Sequence, residues 1–395
     1  MSVERGRYVE CHWEPDLSRE TSRKRQGGTY RAFVPAAIAE EEPVLASGTA
    51  ARAERAGQAV RDLNSDGAAL VPLDGLGRLL LRSEALASSQ IEGLSISNRK
   101  LAQAELEGEA GPYKAREVLG AVRAMELAME IGAAADPPSI GAITRIHEAL
   151  AIAPPLDRIA GQIREEASWI GGSSPLDAEF VGPPFDDVRP LLGDLCEFMD
   201  RDDIGAITQA AIAHAQFELI HPFGDGNGRV GRCLIQVVLR RRGLVPRYAP
   251  PISLVLGANK DAYIAGIHEF RRGKLDAWVD YFSRAVERAS LQAKTFSAAV
   301  VDLQERWREM VQPARADSAV FPLIDVLPKL PIITAAVAER EIGRSRPVTI
   351  EALSRLAEIG ALTRYRNQKL GDRWEAKELF SLLDEFEEAA RLPAG

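Results

Sequence analysis

Cysteine is scarce: Cys11, Cys196 and Cys233 are the three in 395 residues, an odd number without metal-type spacing. That argues against a disulfide framework and a thiolate zinc site, and leaves a reduced, cytoplasmic interior as the simple expectation. Long apolar runs are also missing. No stretch is long enough to cross a bilayer as a helix, and the N-terminus lacks a signal peptide's apolar region, so no membrane partner is expected. Nor is positive charge in excess. The 49 basic residues face 57 acidic ones, a net charge of −8, so the whole chain is not built to bind a polyanion. What is present is ordinary: 46% apolar and 27% charged residues, fitting a globular protein of about two to three domains.

The informative stretch is His221-Pro222-Phe223-Gly224-Asp225-Gly226-Asn227-Gly228-Arg229-Val230-Gly231-Arg232. Residues 206–220 before it are apolar at Ile207, Ala211, Phe217 and Ile220 and read as a buried helix; residues 233–239 after it read as a second one. The glycine-rich loop thus sits at a helix N-terminus, where free N–H groups and the helix dipole attract phosphate. Arg229 and Arg232, three apart, project to one side of that helix. Cations there oppose the dipole, so an anionic ligand between them would explain their placement. Two other phosphate motifs are excluded. Gly226-x-Gly228-x-x-Gly231 follows a helix rather than the strand that a dinucleotide fold needs, and a Walker loop's Gly-Lys-Ser/Thr is absent.

His-Pro-Phe-x-Asp-Gly-Asn-Gly-Arg-x-x-Arg, complete from His221 to Arg232, resembles the signature of the Fic family at every defining position. The resemblance implies a mainly α fold, a helical core with a small β-hairpin flap, and transfer of AMP from ATP to a hydroxyl on a protein. Under it His221 would accept the proton of an attacking Ser, Thr or Tyr. Asp225 would hold Mg²⁺ on the phosphates. Phe223, Gly224, Gly226, Asn227 and Gly228 would shape the nucleotide site, with Asn227 and the loop amides on the α-phosphate. Arg229 and Arg232 would neutralise the departing pyrophosphate.

Other stretches take meaning beside that motif. Tyr30-Arg31-Ala32-Phe33-Val34-Pro35 reads as a packing strand and also resembles the family's N-terminal lead-in, after a partly ordered arm over residues 1–28. Residues 79–92 read as a helix with Gly93 as its C-cap. Within it, Ser88-Ser89-Gln90-Ile91-Glu92-Gly93 resembles the inhibitory motif of the N-terminally inhibited class, in which Glu92 would pair with Arg232 and displace the γ-phosphate. The same glutamate could instead orient water to remove AMP, so brake and hydrolase stay open. Two β-prone runs joined by Gly-Gly-Ser-Ser-Pro, around Trp169, Ile170, Gly171 and Gly172, read as a hairpin and resemble the flap that pairs with a target's backbone. His214, seven residues before His221, reads as a hydrogen-bonded structural histidine, because no zinc-helix spacing accompanies it. Tyr263 follows a helix start that borders the nucleotide in the family.

From Pro331 the pattern changes to helix (332–341), turn, helix (348–359) and a β-prone pair, which resembles a winged helix-turn-helix domain. Between Arg344 and Trp374 seven basic residues, Lys369 among them, face three acidic ones, so DNA is one expected partner and a protein contact the other. The expected domains are therefore 1–110 (with the inhibitory helix), 111–315 (the catalytic core) and 316–395. Self-modification and a homodimer are further expectations.

Overall fold

The computed structural model describes residues 4–14, 27–66, 73–108, 111–367 and 371–391. Fifteen helices and seven short strands occur among them, so the chain is mainly helical, as expected. The chain divides into two compact units, and their limits differ from the three-part division read from sequence. Met1–Gly57, Arg123–Leu244 and Lys260–Arg284 make the first; Gln58–Val122, Val245–Asn259 and Ala285–Gly395 make the second. Helices α1 (Ser47–Asp66), α4 (Tyr113–Ala133) and α11 (Leu275–Met310) contribute to both.

The first unit opens on a hairpin, β1 (Gly6–Trp13) against β2 (Gly28–Pro35), in antiparallel register from Gly6↔Pro35 to Trp13↔Gly28. Part of the expected N-terminal arm is therefore a strand, held by pairing with the run that was legible. The unit continues through α5 (Ile140–Leu150), a second hairpin of β3 (Trp169–Ile170) and β4 (Phe180–Val181), α6 (Phe185–Asp200), α7 (Ala206–Ile220), α8 (Asn227–Arg241) and α10 (Lys260–Arg271). Helix α7 is apolar on every side, and all of its residues except Ala206 and Glu218 are buried, which makes it the central helix of the unit. Helix α8 lies against it because Gly231 leaves room. A Cβ there would stand 2.7 Å from Glu218 Oε1 and 3.0 Å from Phe217 Cδ1. Trp278 of α11 closes the far side, its Nε1–H donating to the Ala211 carbonyl at 2.8 Å.

The second unit holds α2 (Leu73–Ile91), α3 (Asn98–Glu107), α9 (Ile252–Ala258), α12 (Val320–Val326), β5 (Ile332–Thr334), α13 (Ala335–Ile342), α14 (Arg346–Glu358), β6 (Thr363–Asn367), β7 (Gly371–Glu375) and α15 (Lys377–Arg391). Its strands form one antiparallel sheet in the order β5-β7-β6. The expected helix over 332–341 therefore begins as a strand, because Ile333 pairs with Trp374. Lys369 lies outside the described residues.

One hydrophobic core serves the whole unit. Leu76, Leu79 and Leu80 of α2 join the same cluster as Leu303 and Trp307 of α11, Leu353 and Leu356 of α14, Trp374 of β7 and Phe386 of α15. Polar ties follow the same path. Asn98 donates to Glu387 at 2.7 Å, Arg99 pairs with the buried Glu375 at 2.6 Å, and Arg391 donates to Gln90 at 2.9 Å. The shift of pattern at Pro331 thus marks a new run of elements. It does not mark a new core.

Candidate active site

Helix α7 ends because Pro222 cannot continue it, and the turn is made by His221 in the left-handed region (φ 50°, ψ 61°). His221 is the one non-glycine residue with positive φ among those described. Such a conformation costs about 1–3 kcal/mol and needs outside support. Its own N–H still reaches the Phe217 carbonyl at 2.9 Å. The ring stands with Nδ1 3.2 Å from the Glu218 carbonyl oxygen. A carbonyl only accepts, so Nδ1 carries the hydrogen and Nε2 holds the basic lone pair of the neutral ring.

The loop that follows is held from inside. Asn227, 2% exposed, accepts from Phe223 N at 2.9 Å through Oδ1 and donates to Phe223 O at 2.8 Å through Nδ2. Its amide, expected on the phosphate, clasps the loop in both directions. Gly226 starts α8 with φ 83°, where a Cβ would meet Leu150 Cδ2 at 3.0 Å. Asp225 lies outside this packing, with its side chain 66% exposed. One oxygen accepts from Gly226 N at 2.5 Å and stands 3.7 Å from Arg229 Nη2. Paired with so exposed a partner, that contact adds little stability.

The two arginines are the opposite of exposed. Arg229 is 4% exposed and Arg232 1%. In Arg229, Nε and Nη1 have no hydrogen-bond partner among the described residues. Two buried guanidiniums in the first turns of a helix oppose its dipole, and an orphaned buried donor costs about 1–3 kcal/mol. An anion of phosphate type fits both facts.

Two residues of the site carried no signal of their own in the sequence. His147, fully buried on α5, stacks on Phe223 with ring centroids 3.9 Å apart and planes at 6°. Its Nδ1 accepts from Gly161 N at 3.0 Å, so its Nε2–H donates to the Asp225 carbonyl at 3.1 Å. Burial pushes its pKa down to about 4, with the Arg229 charge adding in the same direction. The ring is neutral at physiological pH and props the loop in that state. Arg164 is the second, 8% exposed, its Nε donating to the His221 carbonyl at 2.7 Å. Burial pulls its pKa down to about 10, which leaves it charged at neutral pH.

The expected hairpin is present: Trp169 pairs with Val181 and Ile170 with Phe180. Gly171 and Gly172 turn it at φ 73° and 67°. Ile170 is 45% exposed, and Trp13 of β1 meets Trp169 edge-on at 5.6 Å. A cavity of about 840 Å³ runs beside it, lined by residues 161–169, Ile159, Arg189 and Gly224. The hairpin and the glycine loop therefore border one space.

Tyr263 is turned inward, 3% exposed, its hydroxyl 2.8 Å from His214 Nε2. Burial first, and then the Arg232 charge, push His214 down to about 3, so it stays neutral. Ser88, Glu92 and Gly93 belong to the second unit. Ser88 is buried in α2, Glu92 is exposed in the turn after Ile91, and Gly93 ends the helix at φ 84°. Among the described residues no group of three or more His, Cys, Asp or Glu is placed to hold a metal, and no helix is long and apolar enough to cross a membrane.

Residues 137–239 match the model of the Fic/DOC family, and residues 50–130 match that of the Fic/DOC family N-terminal region. The chain carries a Fic domain. It is 34% identical over 158 residues to protein adenylyltransferase fic-1 of Caenorhabditis elegans, covering 40% of this chain and 28% of that one. It is 33% identical over 99 residues to a probable protein adenylyltransferase of Aquifex aeolicus, covering 25% of this chain and 28% of that one. The chain thus spans less than a third of the length of these relatives. Among solved structures, a Fic family protein from Desulfovibrio desulfuricans superposes with a TM-score of 0.55 at 21% identity, over 85% of this chain and 98% of the other. A Fic domain containing signaling protein from Bacteroides thetaiotaomicron gives 0.50 at 17%, over 63% and 97%. Both likenesses are of fold.

Proposed function

We propose that this Fic domain is a protein adenylyltransferase, moving AMP from ATP to a Ser, Thr or Tyr hydroxyl of a target protein. The observation that carries the reading is the combination of a histidine whose basic Nε2 is set by the Glu218 carbonyl with a buried Arg229 whose Nε and Nη1 have no partner among the described residues. The target oxygen attacks the α-phosphorus, its proton passes to His221 Nε2, and the α–β phosphoanhydride bond breaks to release pyrophosphate. Arg229 and Arg232 offset the charge that gathers on the leaving group. His147 and Asn227 keep the loop in shape, and the amides of Asn227 and Gly228 at the helix start would meet the phosphates.

Asp225 suits Mg²⁺, because its exposed carboxylate is a hard oxygen donor and Mg²⁺ takes one or two carboxylates beside substrate phosphates. Bound there, the ion would shield the phosphate charge. The hairpin would take the target as an added strand along β3. Glu92 would act as a brake by competing for Arg232. The C-terminal elements would form a winged helix-turn-helix module with DNA as its ligand, through exposed Arg344, Arg346 and Arg366. Three unpaired cysteines fit a reducing, cytoplasmic compartment.

Intact-mass analysis after incubation with ATP and Mg²⁺ tests the reaction, first on the protein alone and then with a candidate target. A gain of one AMP that disappears in His221→Ala supports it. Loss of AMP from a modified target, with no gain on either protein, would replace transfer with removal.

A further inference from the structure

His221 holds a backbone conformation that only outside contacts can keep, and the contacts converge on one side chain. Arg164 Nε donates to the His221 carbonyl at 2.7 Å, and Nη2 lies 3.4 Å from the Ile220 carbonyl. The same Nη2 donates to the Pro183 carbonyl at 2.7 Å, and Nη1 donates to the Glu166 carbonyl at 2.7 Å. The guanidinium thus joins three chain segments: the end of α7, the exit of the hairpin after β4, and the cavity wall that leads into β3. Among the described residues no carboxylate is hydrogen-bonded to it. Its N–H groups are met by main-chain carbonyls, in a plane that five fixed donors can satisfy and an ammonium cannot.

The backbone repeats the connection. Arg164 N donates to the Pro222 carbonyl at 2.9 Å, and Ile163 bridges Phe223. Gly182 N donates to the Ser168 carbonyl at 3.0 Å, where the hairpin is rooted. Gly182 itself lies close in: a Cβ would stand 3.2 Å from Arg164 Nη2 and 3.6 Å from His221 Cβ. Hairpin root, brace and histidine are one packed junction.

We propose that Arg164 is a positioning residue that fixes the angle of His221 and mechanically joins it to the hairpin, so that a target strand docking on β3 sets the base at the same time. The inference rests on His221 as the base of the transfer. Arg164 touches no substrate in this scheme; it acts through the His221 carbonyl.

The test uses Arg164→Gln, Arg164→Lys and Arg164→Ala in the full chain. In Arg164→Gln the transfer rate constant at saturating ATP should fall about 100-fold, the scale of a small misplacement of a reacting group, while ATP affinity is unchanged. Arg164→Lys should recover only part, because one ammonium cannot reach three segments. Added guanidinium ion at non-denaturing concentration should restore part of the rate of Arg164→Ala. Hydrogen exchange gives a second readout that does not need turnover. Amides of residues 220–225 and 168–182 should exchange together faster in Arg164→Gln, while the interior of α7 stays protected. Wild-type rate and unchanged exchange in Arg164→Gln would overturn the proposal. So would a variant whose melting temperature falls while its rate, measured where it remains folded, does not. If Arg164→Gln does not fold, Arg164→Lys decides: wild-type rate with wild-type exchange rejects the brace. Should the wild type transfer no AMP, the function is wrong, and the exchange arm still decides the brace.

Discussion

Two buried arginines of the first unit behave in opposite ways. Around Arg164 every segment turns a carbonyl toward the guanidinium, and the cation is satisfied by the protein itself. At the start of α8, Arg229 is more deeply buried, yet two of its nitrogens have no partner among the described residues. Burial alone does not separate structure from function here. The partner count does: a satisfied cation holds the chain together, and an unsatisfied one in the same low-dielectric surroundings is set for an anion from outside.

The contrast is bounded first by His221, the proposed base. His221→Ala should lower AMP transfer about 10²–10⁴-fold while ATP binding, followed by titration calorimetry, remains. Activity within tenfold of wild type would remove His221 from the role of base.

Arg229→Ala breaks the comparison directly. Transfer should drop about 10²–10³-fold, as for loss of a group that stabilises developing charge. The ligand-free protein should melt no lower than wild type, since an orphaned buried charge is removed. Arg164→Ala should melt lower, because it leaves carbonyls unpaired. If the two variants shift the melting temperature alike, the distinction drawn above fails.

Glu92→Gly addresses the proposed brake on Arg232. A competing pair of about 2–3 kcal/mol would hold turnover down roughly 30- to 150-fold, so its removal should raise labelled-AMP incorporation by that factor. The double variant with Arg232→Ala should match Arg232→Ala alone. A slower, still folded Glu92→Gly would leave the residue as a helix end only.

Acid supplies the smallest effect. His147 and His214 have folded-state pKa values of about 4 and 3, below the ordinary 6.5. Each therefore stabilises the fold fully above the unfolded value and loses that contribution as pH falls from about 6.5 toward 4 and below. His147→Asn should flatten the fall of melting temperature between pH 7 and 4. An unchanged slope would mean that His147 titrates normally.

How much of this was legible follows from distance along the chain. The stretch from His221 to Arg232 is twelve consecutive residues flanked by two apolar helices, so its place between α7 and α8 could be read locally. The hairpin around Gly171 and Gly172 was local too. His147 and Arg164 were not. The partners of His147 lie 14 and 78 residues away, and those of the Arg164 guanidinium lie up to 57 away, so nothing in either neighbourhood marks them. Strand β1 was hidden for the same reason, since it is defined by its mate. Asn227 was legible in position and misleading in role: its amide faces Phe223's main chain. The division at 315 rested on composition, which does not record that Trp374 and Phe386 share a core with Leu76 and Leu79.

That shared core also sets a timetable. Helix α2 is made early, yet α15, which hands Arg391 to Gln90, is made 301 residues later. At about 5–20 residues per second, the stretch that holds Glu92 waits roughly 15–60 s on the ribosome for its last neighbour, while the loop from His221 to Arg232 has already emerged. A nascent chain therefore presents the loop from His221 to Arg232 before the helix around Gln90 has its full support.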